Sequence, residues 1–158
     1  MALDIEPYAG FIVSGSDNSN PSSDVKGVMV GGRVGFSTMG FGYGADLEMG
    51  IQDVKATGAS IPWKATKMGL YGSFTFPVLI RLYATYFLSA KGEYEASSQT
   101  LSYTGSGYKL GVGYTGFPLI SINLEMAKDT YTDCSPTASC GSTNYETDTT
   151  ILSVSLPL

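Results

Sequence analysis

The chain is built from segments in which apolar and polar residues alternate strictly, a period of two that amphipathic helices do not have. In the segment from Phe41 to Ile51, every second residue is apolar and the residues between are Gly, Asp or Glu. Successive side chains of a β-strand point to opposite faces, so this pattern predicts a strand with one apolar face. Similar segments lie at about 3–13, 28–39, 63–76, 78–91, 108–115, 120–127 and 152–158. The sequence therefore predicts eight strands.

The connections between these strands are alternately short and long. Sharp turns are expected near Met39-Gly40, Phe76-Pro77 and Gly116-Phe117-Pro118, and longer polar connections at about 14–27, 52–62, 92–107 and 128–147. This regular alternation predicts an antiparallel up-and-down barrel with tight turns at one rim and loops at the other. A Greek-key sandwich would not produce it.

One face of nearly every predicted strand is apolar, and the opposite face collects Gly, Ser, Thr, Tyr and almost all strand charges. A soluble barrel would turn the apolar face inward, and a membrane barrel would turn it outward. The glycines of the polar face suit a narrow interior where side chains approach closely; they are Gly10, Gly35, Gly44, Gly69, Gly111 and Gly113. Aromatic residues near the short-turn rim of the apolar face resemble an interfacial girdle; they are Phe36, Phe41, Tyr43, Phe74, Phe76 and Tyr114.

The charges of the polar face are balanced, and most lie at similar heights along the predicted strands. They are Glu6, Arg33, Asp46, Glu48, Lys67, Arg81, Lys109 and Glu125. Buried charges are costly unless they are paired, whereas solvated charges need no such matching. The arrangement predicts a salt-bridged interior, and thus favours the membrane orientation.

Local sequence adds a resemblance to this architecture. Glu6-Pro7-Tyr8-Ala9-Gly10-Phe11 opens the barrel, the second and third strands are rich in Gly, and Tyr71-Gly72-Ser73-Phe74 leads into a Pro turn. Over essentially its whole length the chain resembles the small outer-membrane β-barrels of the OmpA membrane domain and OmpX type. The resemblance implies one transmembrane domain over residues 1–158 in the bacterial outer membrane, with short periplasmic turns, long extracellular loops, and lipid and lipopolysaccharide around it. We expect a mature form without its signal peptide.

Composition argues against several classes of function. The chain has no His, which removes the usual general base of hydrolytic enzymes, so we expect no enzyme, cofactor or metal site. The net charge of −5 argues against a nucleic-acid partner. Cys134 and Cys140 lie in one predicted loop at a spacing that a loop-closing disulfide could have, and two unpaired thiols are the alternative.

The leading functional hypothesis is a structural and surface-interaction protein. An eight-stranded barrel has an interior just wide enough for side chains to fill it. Its loops would meet an extracellular partner, and the tyrosines expected there suit such contacts: Tyr94, Tyr103, Tyr131 and Tyr145. The alternatives are a small pore for ions or small solutes, and a soluble lipocalin-like barrel that binds a ligand in an apolar cavity.

Overall fold

The computed structural model describes residues 1–18, 24–56, 59–96, 99–136 and 144–158. Eight antiparallel strands form one closed barrel in which each strand pairs with the next and the last pairs with the first. The strands are β1 (Ala2–Asp17), β2 (Asp24–Thr38), β3 (Phe41–Ala56), β4 (Ala59–Thr75), β5 (Ile80–Ala96), β6 (Gln99–Phe117), β7 (Ile120–Ser135) and β8 (Tyr145–Ser155). The predicted strand number, order and closure are confirmed.

The strands extend further from the short-turn rim than predicted. β5 was expected to end at Lys91 and β6 to begin at Tyr108, but the two strands pair as far as Ala96 and Gln99. The predicted long connections at 14–27, 52–62, 92–107 and 128–147 were therefore wrong in their bounds, because the strands occupy much of each. Ladder hydrogen bonds join backbone groups, so pairing continues where the outward face becomes polar and the hydrophobic alternation fades.

A β-bulge in β5 reverses the predicted alternation. Ala90 was expected to face outward and Lys91 inward, but Ala90 is buried and Lys91 is exposed. The register of β5 against β6 shifts between Phe87 and Ala90. One extra residue in a bulged strand moves every following side chain to the other face, and hydrophobic periodicity does not reveal where that residue lies.

The short-turn rim is formed by tight hairpins. Met39 and Gly40 both have positive φ, 50° and 85°, which suits the twist of a two-residue hairpin. Leu79 and Leu119 occupy the left-handed region in the other two short turns, with φ of 64° and 62°. These turns bring successive strands back with little exposed backbone.

Apolar side chains form a band around the outside of the barrel. Val30, Leu47 and Leu124, in the middle of their strands, are each more than half exposed. Along the described strands, away from the short-turn rim, the first charged residues on the outer surface lie where this band ends. They are Lys26, Asp53, Lys64, Lys91, Lys128 and Asp148. This barrel has its charges inside and its apolar residues outside, whereas a lipocalin has an apolar interior and a polar outer surface. The soluble-barrel alternative is therefore wrong. The surface is suited to hydrocarbon.

No helix in the described parts of the chain has the length and apolar character to span a membrane.

The apolar band predicts a depth-dependent penalty for charge. Leu47→Arg places a cation at mid-band and should lower the free energy of unfolding in lipid vesicles by about 2–4 kcal/mol. The matched control is Thr100→Arg, at an exposed position near the far end of β6 opposite Glu95, which should cost much less. Urea titration of both variants measures the difference. Equal losses of unfolding free energy in the two variants would contradict the conclusion that the band lies in hydrocarbon.

Candidate functional site: the barrel interior

The structure brings all eight predicted interior charges together inside the barrel, where each is almost completely buried. They project from the inward positions of β1 to β7, and β8 adds Ser153 and Ser155. Neighbouring strands are already joined by their backbones. Some of these side chains contact a neighbouring strand, and others add contacts across the lumen between strands that do not pair, such as β5 with β1 and β4 with β7.

The ion pair nearest the short-turn rim is between Arg81 and Glu6. Two hydrogen bonds join the guanidinium to the carboxylate, from Nη1 to Oε2 at 2.7 Å and from Nη2 to Oε1 at 2.5 Å. Arg81 Nη2 also lies 3.3 Å from Asn123 Oδ1 and 3.5 Å from Ser155 Oγ. This two-point geometry is the strongest form of an arginine–carboxylate pair.

Arg33 lies at the centre and contacts three carboxylates. Its Nη1 is 3.3 Å from Glu6 Oε1, its Nε is 3.4 Å from Asp46 Oδ2, and its Nη2 is 3.2 Å from Glu125 Oε1. Donors on three sides of a planar guanidinium make Arg suited to this position in a way that Lys is not. Replacing Arg33 would therefore leave three buried carboxylates short of a partner.

Two tyrosine rings enclose the Arg33 guanidinium, whose carbon lies 4.5 Å from the Tyr8 ring centre and 4.2 Å from that of Tyr83. Tyr8 is paired across the sheet with Gly31, and Tyr83 with Gly111. A Cβ at either glycine would overlap the facing ring. The glycines of the polar face thus make room for rings to lie flat against the barrel wall.

Tyrosine and threonine hydroxyls add hydrogen bonds to the central carboxylates. Tyr8 donates to Asp46 Oδ1 at 2.7 Å, Thr85 donates to Asp46 Oδ2 at 2.9 Å, and Tyr83 donates to Glu125. Buried charges are tolerated when their remaining lone pairs are satisfied in this way.

Two lysines extend the ion pairs beyond Arg33, away from the short-turn rim. Lys109 Nζ lies 2.6 Å from Glu48 Oε2, and Lys67 Nζ lies 3.2 Å from Glu48 Oε1. Lys67 also contacts Asp129 Oδ2 at 2.5 Å. Cations and carboxylates therefore alternate from Arg81 at one end to Asp129 at the other. We call the eight predicted residues together with Asp129 the charge network.

The inward position of Asp129 was not predicted, because the sequence placed this residue in or next to a long loop. It lies in β7, is 2% exposed, and has the same parity as Glu125, whose inward position was predicted. Continuing the predicted alternation beyond residue 127 by one more pair of residues would have found it. The missed hydroxyl donors Tyr8, Tyr83 and Thr85 lie on the predicted inward face but carry no charge that would single them out.

The charge network contains five carboxylates and four cations. Two carboxylate oxygens, Glu125 Oε2 and Asp129 Oδ1, are buried and accept no hydrogen bond from the described residues. Glu125 Oε2 lies 3.8 Å from Lys109 Nζ, which still provides an electrostatic partner. The charge network therefore has an excess of one negative charge, and the inward residues Asp4 and Asp17 add two more carboxylates to the interior.

Beyond the charge network, towards the ends opposite the short turns, the interior is rich in aromatic side chains, and the hydroxyl of Tyr145 donates a hydrogen bond to the buried Asp17. Trp63 is surrounded by four tyrosines at ring-centre distances of 5.4–5.9 Å. These are Tyr94, Tyr103, Tyr131 and Tyr145, the residues that were expected on surface loops. The expectation was wrong because these segments belong to strands, whose inward positions carry the rings into the lumen. We call these five residues the aromatic cluster.

At the opposite end a cavity of about 600 Å³ opens at the short-turn rim. Asp4, Ser37, Ser73 and Thr75 line its wall, and Arg81 lies among its lining residues. Polar residues thus lead from the rim to the first ion pair of the charge network.

The predicted disulfide concerns a different part of the chain. Cys134 lies in β7 opposite Tyr103, and among the described residues there is no free cysteine. Cys140 lies outside the described residues. The Cys134–Cys140 pairing stays a prediction.

The central position of Arg33 predicts a large loss of stability on its removal. Arg33→Met should lower the free energy of unfolding in lipid vesicles by about 3–5 kcal/mol, because it leaves buried carboxylates uncompensated. The matched control is Lys128→Met, which breaks the 3.1 Å pair between Lys128 and Glu146 on the outer surface. This control should leave stability nearly unchanged. Similar losses for the two variants would show that the interior ion pairs carry no special weight.

The contact between Lys67 and Asp129 predicts strong energetic coupling. Lys67→Met alone should destabilise the barrel, and adding Asp129→Asn should recover part of the loss because the unpaired carboxylate is removed. A double-mutant cycle from urea titrations should give a coupling free energy above about 1 kcal/mol. Additive effects would mean that Asp129 does not belong to the charge network.

Comparison with known proteins shows similarity at the level of the fold. No protein-family profile matches the sequence, and no curated protein sequence matches it significantly. Among solved structures, it is similar to Neisserial surface protein A, with 12% identity, a TM-score of 0.63, and 98% and 95% of the two chains covered. It is also similar to Ail, the attachment invasion locus protein of Yersinia pestis, in complex with the heparin analogue sucrose octasulfate, with 12% identity, a TM-score of 0.66 and full coverage of both chains.

A third neighbour is the N-terminal β-barrel domain of Pseudomonas aeruginosa OprF, with 12% identity, a TM-score of 0.58, and 98% and 97% of the two chains covered. The predicted OmpA/OmpX-type architecture is confirmed at the level of fold. Single-chain up-and-down barrels with an apolar outer band belong to outer membranes. Fold and band together place this chain in the bacterial outer membrane, in the fold class of the small outer-membrane β-barrels.

Proposed function

We propose that the protein is a closed, membrane-anchored barrel whose working surface is its outer end, the end opposite the short-turn rim. The observation that carries this proposal is the charge network, which joins side chains from β1 to β7 across the lumen. Arg33 alone contacts residues of β1, β3 and β7. A path for water or solute along the axis would have to break several of these ion pairs at once.

The aromatic cluster supports the same proposal as a second obstruction. Trp63 is 6% exposed and Tyr131 is 2% exposed, and Trp63 contacts each of the four tyrosine rings at centre distances of 5.4–5.9 Å. They lie between the charge network and the outer end of the barrel. Opening a conduit would therefore require an apolar contact and a polar contact to be disrupted together.

The charge of the outer end favours some partners over others. Its outward charges are five lysines and seven carboxylates, so this surface is slightly acidic. A polysulfated ligand such as the one bound to Ail needs a cationic surface, and that property does not transfer to this chain. A partner that presents hydroxyl or cationic groups suits these carboxylates better, and bilayer lipid and lipopolysaccharide surround the band below.

The proposal assigns no catalytic reaction to the protein. The chain contains no His, and the carboxylates of the charge network are paired with Arg or Lys. Carboxylates held in ion pairs are poor candidates for general acid–base work, which requires a group that changes protonation.

A small pore is the second candidate, and the cavity at the short-turn rim favours it. This cavity extends from the rim to Arg81 and so provides one half of a path through the barrel. Rearrangement of the ion pairs would have to supply the other half. With five carboxylates against four cations in the charge network, such a pore should prefer cations.

Conductance across a planar lipid bilayer separates the two candidates. A closed barrel should insert, which a mobility difference between unheated and boiled gel samples verifies, and then remain electrically silent. Discrete conductance steps would contradict the proposal. If those steps also preferred cations and Glu48→Gln reduced that preference, the pore would be the better account.

A further inference from the structure

A groove of about 320 Å³ lies on the outer surface of β6, β7, β8 and β1, where the apolar band ends. Strand register organises its lining into two rows that cross all four strands. The lower row is Ser14, Thr150, Met126 and Leu110, and the upper row is Ser16, Asp148, Lys128 and Tyr108. We call this feature the interfacial groove.

The rows become more polar with distance from the membrane centre. The row below the groove is entirely apolar and consists of Phe11, Leu152, Leu124 and Val112. The lower row of the groove mixes hydroxyl and apolar side chains, and the upper row adds charge. An amphiphile that leaves the bilayer along this face meets hydrocarbon first, then hydroxyls, then a carboxylate and an ammonium.

The polar groups of the interfacial groove suit a sugar. Ser14 and Ser16 are exposed, and Asp148 offers an exposed carboxylate, so the groove presents both donors and acceptors to ligand hydroxyls. Tyr108 is 47% exposed, and its ring provides a flat apolar face beside them. Leu110 and Met126 lie on the membrane side, where the acyl chains of a lipid would run.

A phosphate headgroup fits the same groove poorly. Lys128 is the one cation among its lining residues, and its Nζ is already 3.1 Å from Glu146 Oε2. Lys128 is also the cross-strand neighbour of Asp148. Two carboxylates against one ammonium give this site a net negative charge, which repels an anion and leaves acceptors free for hydroxyl donors.

We infer that the interfacial groove binds the sugar headgroup of a glycolipid, with the acyl chains along Leu110 and Met126. This inference rests on the proposed function, in which the outer end of the barrel is its working surface, and it deepens that proposal by naming a ligand class. The groove is continuous with the apolar band that faces the bilayer, so a lipid reaches it without leaving the membrane.

The test uses the full chain in vesicles of phosphatidylcholine that contain equal small fractions of glucosyl diacylglycerol, phosphatidylethanolamine and phosphatidylglycerol. After extraction in mild detergent, native mass spectrometry counts the lipids that each barrel retains. Glucosyl diacylglycerol should be retained at least threefold over the other two minor lipids. Equal retention, or preferential retention of either phospholipid, would overturn the inference.

Variants locate the bound lipid. The double variant Ser14→Leu and Thr150→Leu fills the groove with apolar groups, and Tyr108→Leu removes the ring without filling it. Each should reduce the retention of glucosyl diacylglycerol at least threefold. Thr66→Leu makes the same kind of change on the outer surface of β4, outside the groove, and should leave retention unchanged.

Retention that survives both groove variants, or that falls equally in Thr66→Leu, would show binding elsewhere and overturn the inference. Gel mobility verifies insertion of every variant, and Tyr108→Leu carries the test if the double variant does not insert. A barrel that conducts ions yet retains the glycolipid would contradict the closed-barrel proposal alone. A silent barrel without lipid preference would contradict the groove alone.

Discussion

The need to compensate buried charge governs this structure. A barrel in hydrocarbon must turn its apolar residues outward, so its polar residues fall in a lumen too narrow for bulk water. Each charge there would cost several kcal/mol if it stood alone. The charge network meets this requirement by alternating cations and carboxylates along the axis, with Arg33 between three acids. Eight strands give a lumen that side chains can fill, glycines make room for the inward tyrosine rings, and the tyrosine hydroxyls donate hydrogen bonds to the carboxylates.

The same requirement explains why the barrel interior is divided. Near the short-turn rim, polar residues line a cavity that leads to Arg81. The middle is ionic, and the outer portion is filled by Trp63 and its tyrosines. Ion pairs fix the relative positions of strands that do not touch, whereas aromatic packing fills volume without requiring matched partners. A closed interior leaves the outer surfaces, including the interfacial groove, as the places where this protein meets other molecules.

Much of this arrangement was predictable from the sequence. The strand count follows from the period of two, and barrel closure follows from the alternately short and long connections. The outward direction of the apolar face, and with it the inward position of Glu6 or Lys109, required the glycines, the aromatic residues and the matched charges as well. The ends of the strands did not follow, because backbone pairing continues beyond the apolar band. The predicted orientation of Ala90 and Lys91 was wrong because of a bulge. A bulge adds one residue to a strand, and the hydrophobic pattern does not show where. Asp129 and the aromatic cluster were missed for the same reason as the strand ends, and the partners of each charge required three-dimensional proximity.

Side-chain ammonium signals provide the most direct test that the lumen is closed by ion pairs. The chain has seven lysines, of which Lys67 and Lys109 are buried and the other five lie on the outer surface. Ammonium protons in contact with water exchange too quickly to be observed at neutral pH. In a nanodisc, lysine-selective ¹⁵N nuclear magnetic resonance should therefore show two slowly exchanging ammonium signals, one lost in Lys67→Met and the other in Lys109→Met. No slowly exchanging signal would mean that water fills the lumen, and the account would fail.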